Sequence, residues 1–186
     1  FRRVLFRSDT LEKESLIADI GCGNGRNMHK DFKFLGMDVS EEQCKIAREK
    51  TGNKVIKGII TNIPFEDNTF DHAVCIAVIH HLHKLEDRLK AIQELLRIVK
   101  KNGTIMISVW EYDPCSKKRN EKHKMIAWHL RKKYHQEDVD GDVIINRYYY
   151  LFNKDELEKL IRLCDNVEII SIDHECDNTY AIIRKL

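Results

Sequence analysis

The stretch Leu16-Ile17-Ala18-Asp19-Ile20-Gly21-Cys22-Gly23-Asn24-Gly25 limits what this chain can fold into more than any other part of it. The apolar run from Leu16 to Ile20, broken only by Asp19, reads as a buried strand. Glycines at alternate positions follow it. Glycine lets the main chain turn through positive φ, and it lets a ligand lie directly on the backbone. A buried strand running into such a loop predicts an α/β sheet with a nucleotide-type ligand at its carboxyl edge.

The details of the loop select among ligands. Dinucleotide sites use G-x-G-x-x-G, with a pyrophosphate on the following helix. Here the spacing is G-x-G-x-G, and no lysine follows in the triphosphate-binding pattern. Asp19 at the loop mouth would repel a pyrophosphate and attract a cation. S-adenosylmethionine carries an ammonium and a sulfonium and no phosphate. Phe34-Leu35-Gly36-Met37-Asp38 reads as the second strand, and Asp38 at its end can accept both hydroxyls of a ribose.

The chain has 186 residues, enough for one domain with a sizeable core. Apolar residues make up 42% and charged residues 33%, as in globular proteins, and no apolar run is long enough to span a bilayer. The six cysteines are scattered without a C-x-x-C pair, which predicts no metal site on this chain and a reduced, cytoplasmic protein. Net charge is only +2, but between Cys115 and His135 eight basic residues face a single acid, Glu121. His123, Trp128, His129, Tyr134 and His135 lie among them.

Strands alternate with helices along the chain. Strands are expected at Leu16–Ile20, Phe34–Asp38, Val55–Ile60, His72–Val78 and Thr104–Trp110. Ser40 with Gln43 forms a capping box for a helix to Lys50, stopped by Gly52-Asn53. Leu85, Leu89, Ile92, Leu96 and Val99 give a helix over residues 86–100 one buried face. A basic helix is expected over Lys117–Tyr134, then an extended segment Val143–Phe152. Asn153 and Glu156 cap a helix to Cys164, and Val167–Ile172 with Thr179–Arg184 form a closing hairpin. The expected fold is α/β: a Rossmann-like, doubly wound, mostly parallel seven-stranded sheet with a C-terminal antiparallel hairpin. It forms a single domain over residues 1–186, with a ragged end at 1–14 and a basic, substrate-side insertion at about 112–142.

Ligands of such sheets bind beyond the carboxyl ends of the strands. Candidate residues there are Asn62 and Ile63 after strand three, Ala77 with His80-His81 after strand four, and Trp110 after strand five. The paired histidines could hold an anionic or hydrogen-bonding substrate, and Trp110 could stack on a base.

The loop and its two acids closely resemble the class I S-adenosylmethionine-dependent methyltransferases, over about Leu16–Leu186. The resemblance implies that Asp19, Gly21, Cys22, Gly23 and Gly25 hold the methionine part of the cofactor and Asp38 its ribose. Three further stretches, Ile76-Ala77-Val78-Ile79-His80-His81-Leu82, Val109-Trp110 and Arg147-Tyr148-Tyr149-Tyr150-Leu151-Phe152 with Glu156-Leu157, resemble the eukaryotic tRNA wobble-uridine carboxymethyl methyltransferases. Those enzymes esterify the carboxylate of carboxymethyluridine. The chain departs from their pattern at Tyr150 (usually His) and Asp155 (usually Gly). Ile59 stands where many class I enzymes place an acid near the adenine, and the family's N-terminal Thr-Arg motif is not matched.

A carboxylate is ionised at neutral pH and needs no general base. The chemistry asks for cations to position it, so Arg26 and Arg147 are the catalytic candidates, assisted by His80 or His81. Lys117, Lys118, Arg119, Arg131 and Lys132, with Trp110 and Tyr148, form the expected RNA-binding set. The resemblance also implies a small zinc-binding activator subunit paired with the edge of strand three, Val55 to Ile60. Other readings are a methyltransferase for small molecules or protein side chains, and a non-catalytic RNA-binding scaffold.

Overall fold

A computed structural model describes residues 14–117, 119–130 and 143–186. Nine strands and three α-helices follow in chain order: β1 Leu16–Ile20, β2 Lys33–Asp38, α1 Glu41–Thr51, β3 Lys54–Lys57, β4 Phe70–Ile76, α2 Leu85–Ile98, β5 Val99–Trp110, β6 His123–Leu130, β7 Val143–Tyr150, α3 Lys154–Arg162, β8 Val167–Glu175 and β9 Asn178–Lys185. A 3₁₀ turn, Ile79–His81, lies between β4 and α2. Seven strands form one sheet in the order β3-β2-β1-β4-β5-β9-β8. Neighbours from β3 to β5 are parallel, while β9 runs antiparallel to both β5 and β8. This is the doubly wound sheet with a closing hairpin that the strand and helix patterns predict.

Side-chain alternation along the strands builds two cores. Ala18, Ile20, Ala73, Cys75, Ile105 and Ile107 join Ala91, Ile92 and Leu95 of α2 and Leu157, Leu160 and Ile161 of α3. Ile17, Phe34, Val55, Val74 and Met106 join Cys44 and Ala47 of α1. Successive strand residues therefore point to opposite layers. The caps are as the sequence predicts at α3, where Asn153 and Glu156 form a reciprocal capping box. At α1 only half the box is made: the Ser40 hydroxyl accepts from the Gln43 amide, but the Ser40 amide donates to Asp38.

Several expectations are corrected. No helix fills the crossover from β1 to β2; residues 21–32 are turns. Gly21, Gly23 and Gly25 all have positive φ, and a helix cannot be built on them within so short a connection. β3 ends at Lys57, so Ile59 and Ile60 lie in the loop beyond it. β4 begins at Phe70 and stops at Ile76, because Ala77 turns to φ +60. α2 ends at Ile98, and its buried face centres on Ala91, Ile92 and Leu95, leaving Leu85 half exposed. The basic segment 117–134 is not helical where it is described. Residues 123–130 form β6, paired antiparallel with β7 from His123↔Tyr150 to Leu130↔Val143. Lysine, methionine and alanine favour helix locally, but cross-strand pairing with β-branched and aromatic residues overrides that preference. Among the described residues no helix is long and apolar enough to cross a membrane, and no cluster of three or more His, Cys, Asp or Glu could hold a metal ion.

Candidate cofactor and substrate site

The glycine loop folds back over β2. The amides of Gly21 and Cys22 both donate to the carbonyl of Met37, at 2.7 and 3.0 Å. The three glycines then do different things. A Cβ at Gly21 would stand 2.2 Å from Cγ2 of Val78, so this glycine seats the loop against the turn after β4. A Cβ at Gly25 would stand 2.8 Å from Thr51 at the end of α1. At Gly23 nothing comes nearer than Oε1 of Gln43, at 4.0 Å. Gly23 thus bares its main chain toward open space, the surface a ligand needs.

Two carboxylates flank that surface. Asp38 is held by main-chain donors on both oxygens, from Gly23 at 2.8 Å and from Ser40 at 2.9 Å. Each oxygen keeps a lone pair for a hydroxyl. Asp19 is 1% exposed, and neither of its oxygens has a hydrogen-bond partner. Burial, reinforced by the negative charge of Asp38, pushes its pKa up to about 7, and Arg26 opposes the shift. A buried carboxylate with no partner is costly, and it is satisfied by an added cation or donor. The pair therefore fits a ligand with a cationic end and a ribose.

The other expected cofactor residues separate into two groups. Asn62 is exposed, with its amide donating to Ile59, and Ala77 sits in the left-handed region with its amide donating to Ser108. The Asn62 side chain is free of the core, while Ala77 is half-buried. Cys22 and Ile63 are buried side chains. The Cys22 thiol contacts its neighbour's carbonyl and is pushed up in pKa by burial, so only its backbone faces the loop. Ile63 is corrected: its amide donates to Glu94 and its carbonyl accepts from Arg97, each at 2.8 Å, which makes it an anchor of the loop and not a ligand contact.

Beyond β4 and β5 the structure gathers residues from three separate stretches. Tyr149 of β7 is buried against the 3₁₀ turn. It stacks on Trp110 at 4.7 Å and 22°, and its ring lies 5.2 Å from His80 and 4.5 Å from His81. His80 accepts the Trp110 amide hydrogen on Nδ1, at 3.1 Å, and His81 Nδ1 lies 2.9 Å from the Tyr148 carbonyl. Burial holds both histidine pKa values below the ordinary range, well below it for His80. Trp110 is therefore a wall of this cluster, not an isolated stacking surface. Tyr148 faces outward, bonded through its hydroxyl to His123 at 2.7 Å and packed 4.8 Å from His83.

The sequence reading did not single out Tyr149, His83 or the buried Arg88. Arg88 lies 4.0 Å over the Tyr150 ring and donates to the carbonyls of Leu82 and His83, fixing the exit from the turn. The period-two alternation of Tyr148-Tyr149-Tyr150 carries the signal for Tyr149. An arginine among leucines on a helix carries none.

Arg26 is exposed beside the glycine loop, and Arg147 is half-buried next to Tyr148. Of the expected RNA set, Lys117 is exposed. Lys118, Arg131 and Lys132 lie outside the described residues. Arg119 is corrected: it is 13% exposed at its side chain, paired with Asp113 and Asp177, and donates to the Glu111 carbonyl. It ties the insertion to the β8–β9 turn and is spent as a free cation.

The fold and this loop define a methyltransferase. Residues 18–107 match a family model described as a methyltransferase domain. The chain is 30% identical over 188 residues to the tRNA (carboxymethyluridine(34)-5-O)-methyltransferase of Schizosaccharomyces pombe, covering 92% of this chain and 81% of that protein. It is 28% identical over 228 residues to the tRNA (carboxymethyluridine(34)-5-O)-methyltransferase of Xenopus tropicalis, covering 95% of this chain but 36% of the frog protein. The chain thus spans about a third of that relative's length. A Haloferax volcanii methyltransferase solved in complex with the Trm112 methyltransferase activator shares the fold, with a TM-score of 0.68 at 16% identity, over 95% of this chain and 84% of that one. The chain is a class I S-adenosylmethionine-dependent methyltransferase. Within that class it belongs to the family that includes the tRNA carboxymethyluridine methyltransferases.

The raised pKa of Asp19 gives a measurable signature. A cation bound beside it favours the ionised form, so below about pH 7 binding must release a proton. Affinity for S-adenosylhomocysteine, which keeps the ammonium, is expected to fall about five- to tenfold from pH 7 to pH 6. Titration calorimetry in buffers of different ionisation heat reads the released proton directly. The Asp19→Asn variant should lose the pH dependence; a wild type with flat affinity over this range would place the cation elsewhere. For the ligand-free fold the sign is opposite. Asp19 contributes stability below the ordinary carboxylate range that is lost as pH rises through about 7.

Proposed function

We propose that the chain transfers a methyl group from S-adenosylmethionine to the carboxylate of carboxymethyluridine at the wobble position of tRNA, forming the methyl ester. The observation that carries the reading is the packing of Tyr149 between Trp110 and the His80-His81 turn. Three stretches that separately resemble the wobble-uridine enzymes meet there, beyond the strand ends where substrate belongs.

Asp19 and the bared backbone at Gly21 and Gly23 would hold the methionine end of the cofactor, and Asp38 the ribose. The cofactor supplies an electrophilic methyl on a sulfonium. A carboxylate that is already ionised could accept that methyl with the thioether as leaving group, so the chain's own residues would move no proton. The chain's task is to align the partners and exclude water. Arg26, beside the glycine loop, and Arg147, near His81, are the cations suited to a carboxylate. Tyr148, with His83 and His123 around it, offers an aromatic edge to the neighbouring bases.

Two partners follow from this reading. One is tRNA, held by the β6–β7 ribbon and the basic residues of its insertion. The other is an activator subunit adding to the sheet at β3, the edge strand. The apolar surface offered there is narrower than the sequence implies. Val55 and Ile60 are buried, whereas Ile59 is 53% exposed and Val39 is 66% exposed. The complex of the Haloferax methyltransferase with its activator supports a partner of that kind.

The RNA half is tested by charge reversal at Lys117, Lys118, Arg131 and Lys132. Binding of an anticodon stem-loop should weaken, and the slope of log affinity against log salt should shrink by about three to four units. S-adenosylhomocysteine binding should be unchanged. An unaltered salt slope would favour a methyltransferase for small substrates.

A further inference from the structure

His80 and His81 are neighbours in sequence, yet main-chain partners hold their rings in opposite tautomers. His80 Nδ1 lies 3.1 Å from the Trp110 amide nitrogen. An amide N–H only donates, so this nitrogen accepts, and the His80 ring proton sits on Nε2. His81 Nδ1 lies 2.9 Å from the Tyr148 carbonyl oxygen. A carbonyl only accepts, so this nitrogen carries the proton, and His81 Nε2 keeps its lone pair. The T-shaped contacts of His81 with His80 at 4.4 Å and with Tyr149 at 4.5 Å hold its ring in that orientation.

The second nitrogens differ in access. His80 Nε2 is fully covered and has no hydrogen-bond partner. The His81 ring is partly exposed, its Nε2 is not among the buried polar atoms, and it makes no hydrogen bond with any described residue. Burial and the guanidinium of Arg147 keep the ring neutral, against the pull of the Tyr148 carbonyl. A neutral imidazole that shows a lone pair repels a carboxylate. Neither histidine can therefore assist Arg26 and Arg147 with the substrate carboxylate, as the sequence reading expected. What His81 can take is a donor.

The geometry points to His81 as a specificity-determining residue, whose Nε2 lone pair accepts a hydrogen bond from the ring N–H of the substrate base. Uracil carries such a donor at N3. Cytosine carries a lone pair there, which would face the imidazole lone pair. The inference rests on the proposed wobble-uridine reading and adds to it the group that separates uridine from cytidine.

The test uses the full chain with its activator and two anticodon stem-loop RNAs, one with carboxymethyluridine and one with carboxymethylcytidine at the wobble position. Wild-type kcat/KM should favour the uridine RNA by at least about a hundredfold, below the roughly 10⁴-fold of a fully buried hydrogen-bonding site because the His81 ring is partly exposed. An amide can accept or donate, so His81→Gln should lower uridine turnover about tenfold and leave cytidine turnover unchanged or raised, shrinking the ratio. An unchanged ratio in His81→Gln overturns the inference alone. No transfer by the wild type to the uridine RNA overturns the functional reading, and this inference with it. Nitrogen-15 spectra of the imidazoles test the geometry without substrate. The expected pattern is a protonated Nδ1 and bare Nε2 for His81, and the reverse for His80. The same tautomer at both residues overturns the inference whatever the activity.

Discussion

Gly21→Ala is expected to cost the fold about 2–5 kcal/mol, while Gly23→Ala, two residues on, costs about 1 kcal/mol and instead weakens cofactor binding. Both glycines have positive φ, +78 and +53, so both substitutions carry the left-handed penalty. They differ in what the new methyl meets. At Gly21 it would overlap Val78 Cγ2 at 2.2 Å, and the turn after β4 would have to move with all that packs on it. At Gly23 it would enter open space beside the Asp38 carboxylate. That space is the proposed seat of the cofactor, so affinity for S-adenosylhomocysteine should fall about ten- to a hundredfold, the equivalent of ordinary overpacking. Urea denaturation and calorimetry on both variants give the comparison. Equal destabilisation with binding intact in Gly23→Ala would mean that the cofactor does not lie over this glycine.

Arg97→Ala is expected to destabilise the domain by about 3 kcal/mol, the low end for breaking a buried pair, because the arginine is partly solvated. Arg97 donates to both oxygens of Glu94, to Asp67, and to the carbonyls of Ile63 and Phe65. Glu94 is 6% exposed at its side chain and also accepts the Ile63 amide hydrogen. Without the guanidinium, Glu94 is left buried with the Ile63 amide and the more distant Lys90 at 3.5 Å, and the loop from Ile63 to Asp67 loses most of its clamp. The pH dependence separates the two parts of the loss. In the wild type the Arg97 hydrogen bond holds the Glu94 carboxyl below its usual range, against burial. Its contribution is present above the ordinary carboxylate pKa and is lost as pH falls through the lowered one. In Arg97→Ala burial is opposed only by the Ile63 amide and Lys90, so the deficit should be largest at neutral pH and shrink toward pH 4. A loss under about 1 kcal/mol at pH 7 would reduce the network to a surface ion pair.

The parts of the structure that depend on local chemistry were legible in the sequence. The strand Leu16–Ile20, the glycine loop, the acid at Asp38 and the cap at Asn153 each follow from residues within a few positions of one another. The edge position of β3 was legible through family likeness, and the antiparallel hairpin through two strand-like runs around a short polar turn. What was hidden depends on distant partners. β6 is a strand because it pairs with β7, and nothing between Lys117 and Tyr134 announces that pairing. Arg88, Glu94 and Arg97 lie off the apolar face that the sequence pattern gives α2, but the turn and loop packed over the helix bury Arg88 and Glu94 and half-bury Arg97 as clamps. Ile63 reads as a strand-end ligand contact, and its two backbone groups are already taken by those clamps. The histidine pair was visible as a motif. Its split into two tautomers was not, because the partners come from β5 and β7.

The most direct measurement is transfer of labelled methyl from S-adenosylmethionine to tRNA bearing carboxymethyluridine, with the proposed activator subunit present. The predicted result is label in the wobble nucleoside that mild alkali releases as methanol, because an ester hydrolyses where an N- or C-methyl group does not. Label that survives alkali, or equal transfer to tRNA lacking the carboxymethyl group, would contradict the account.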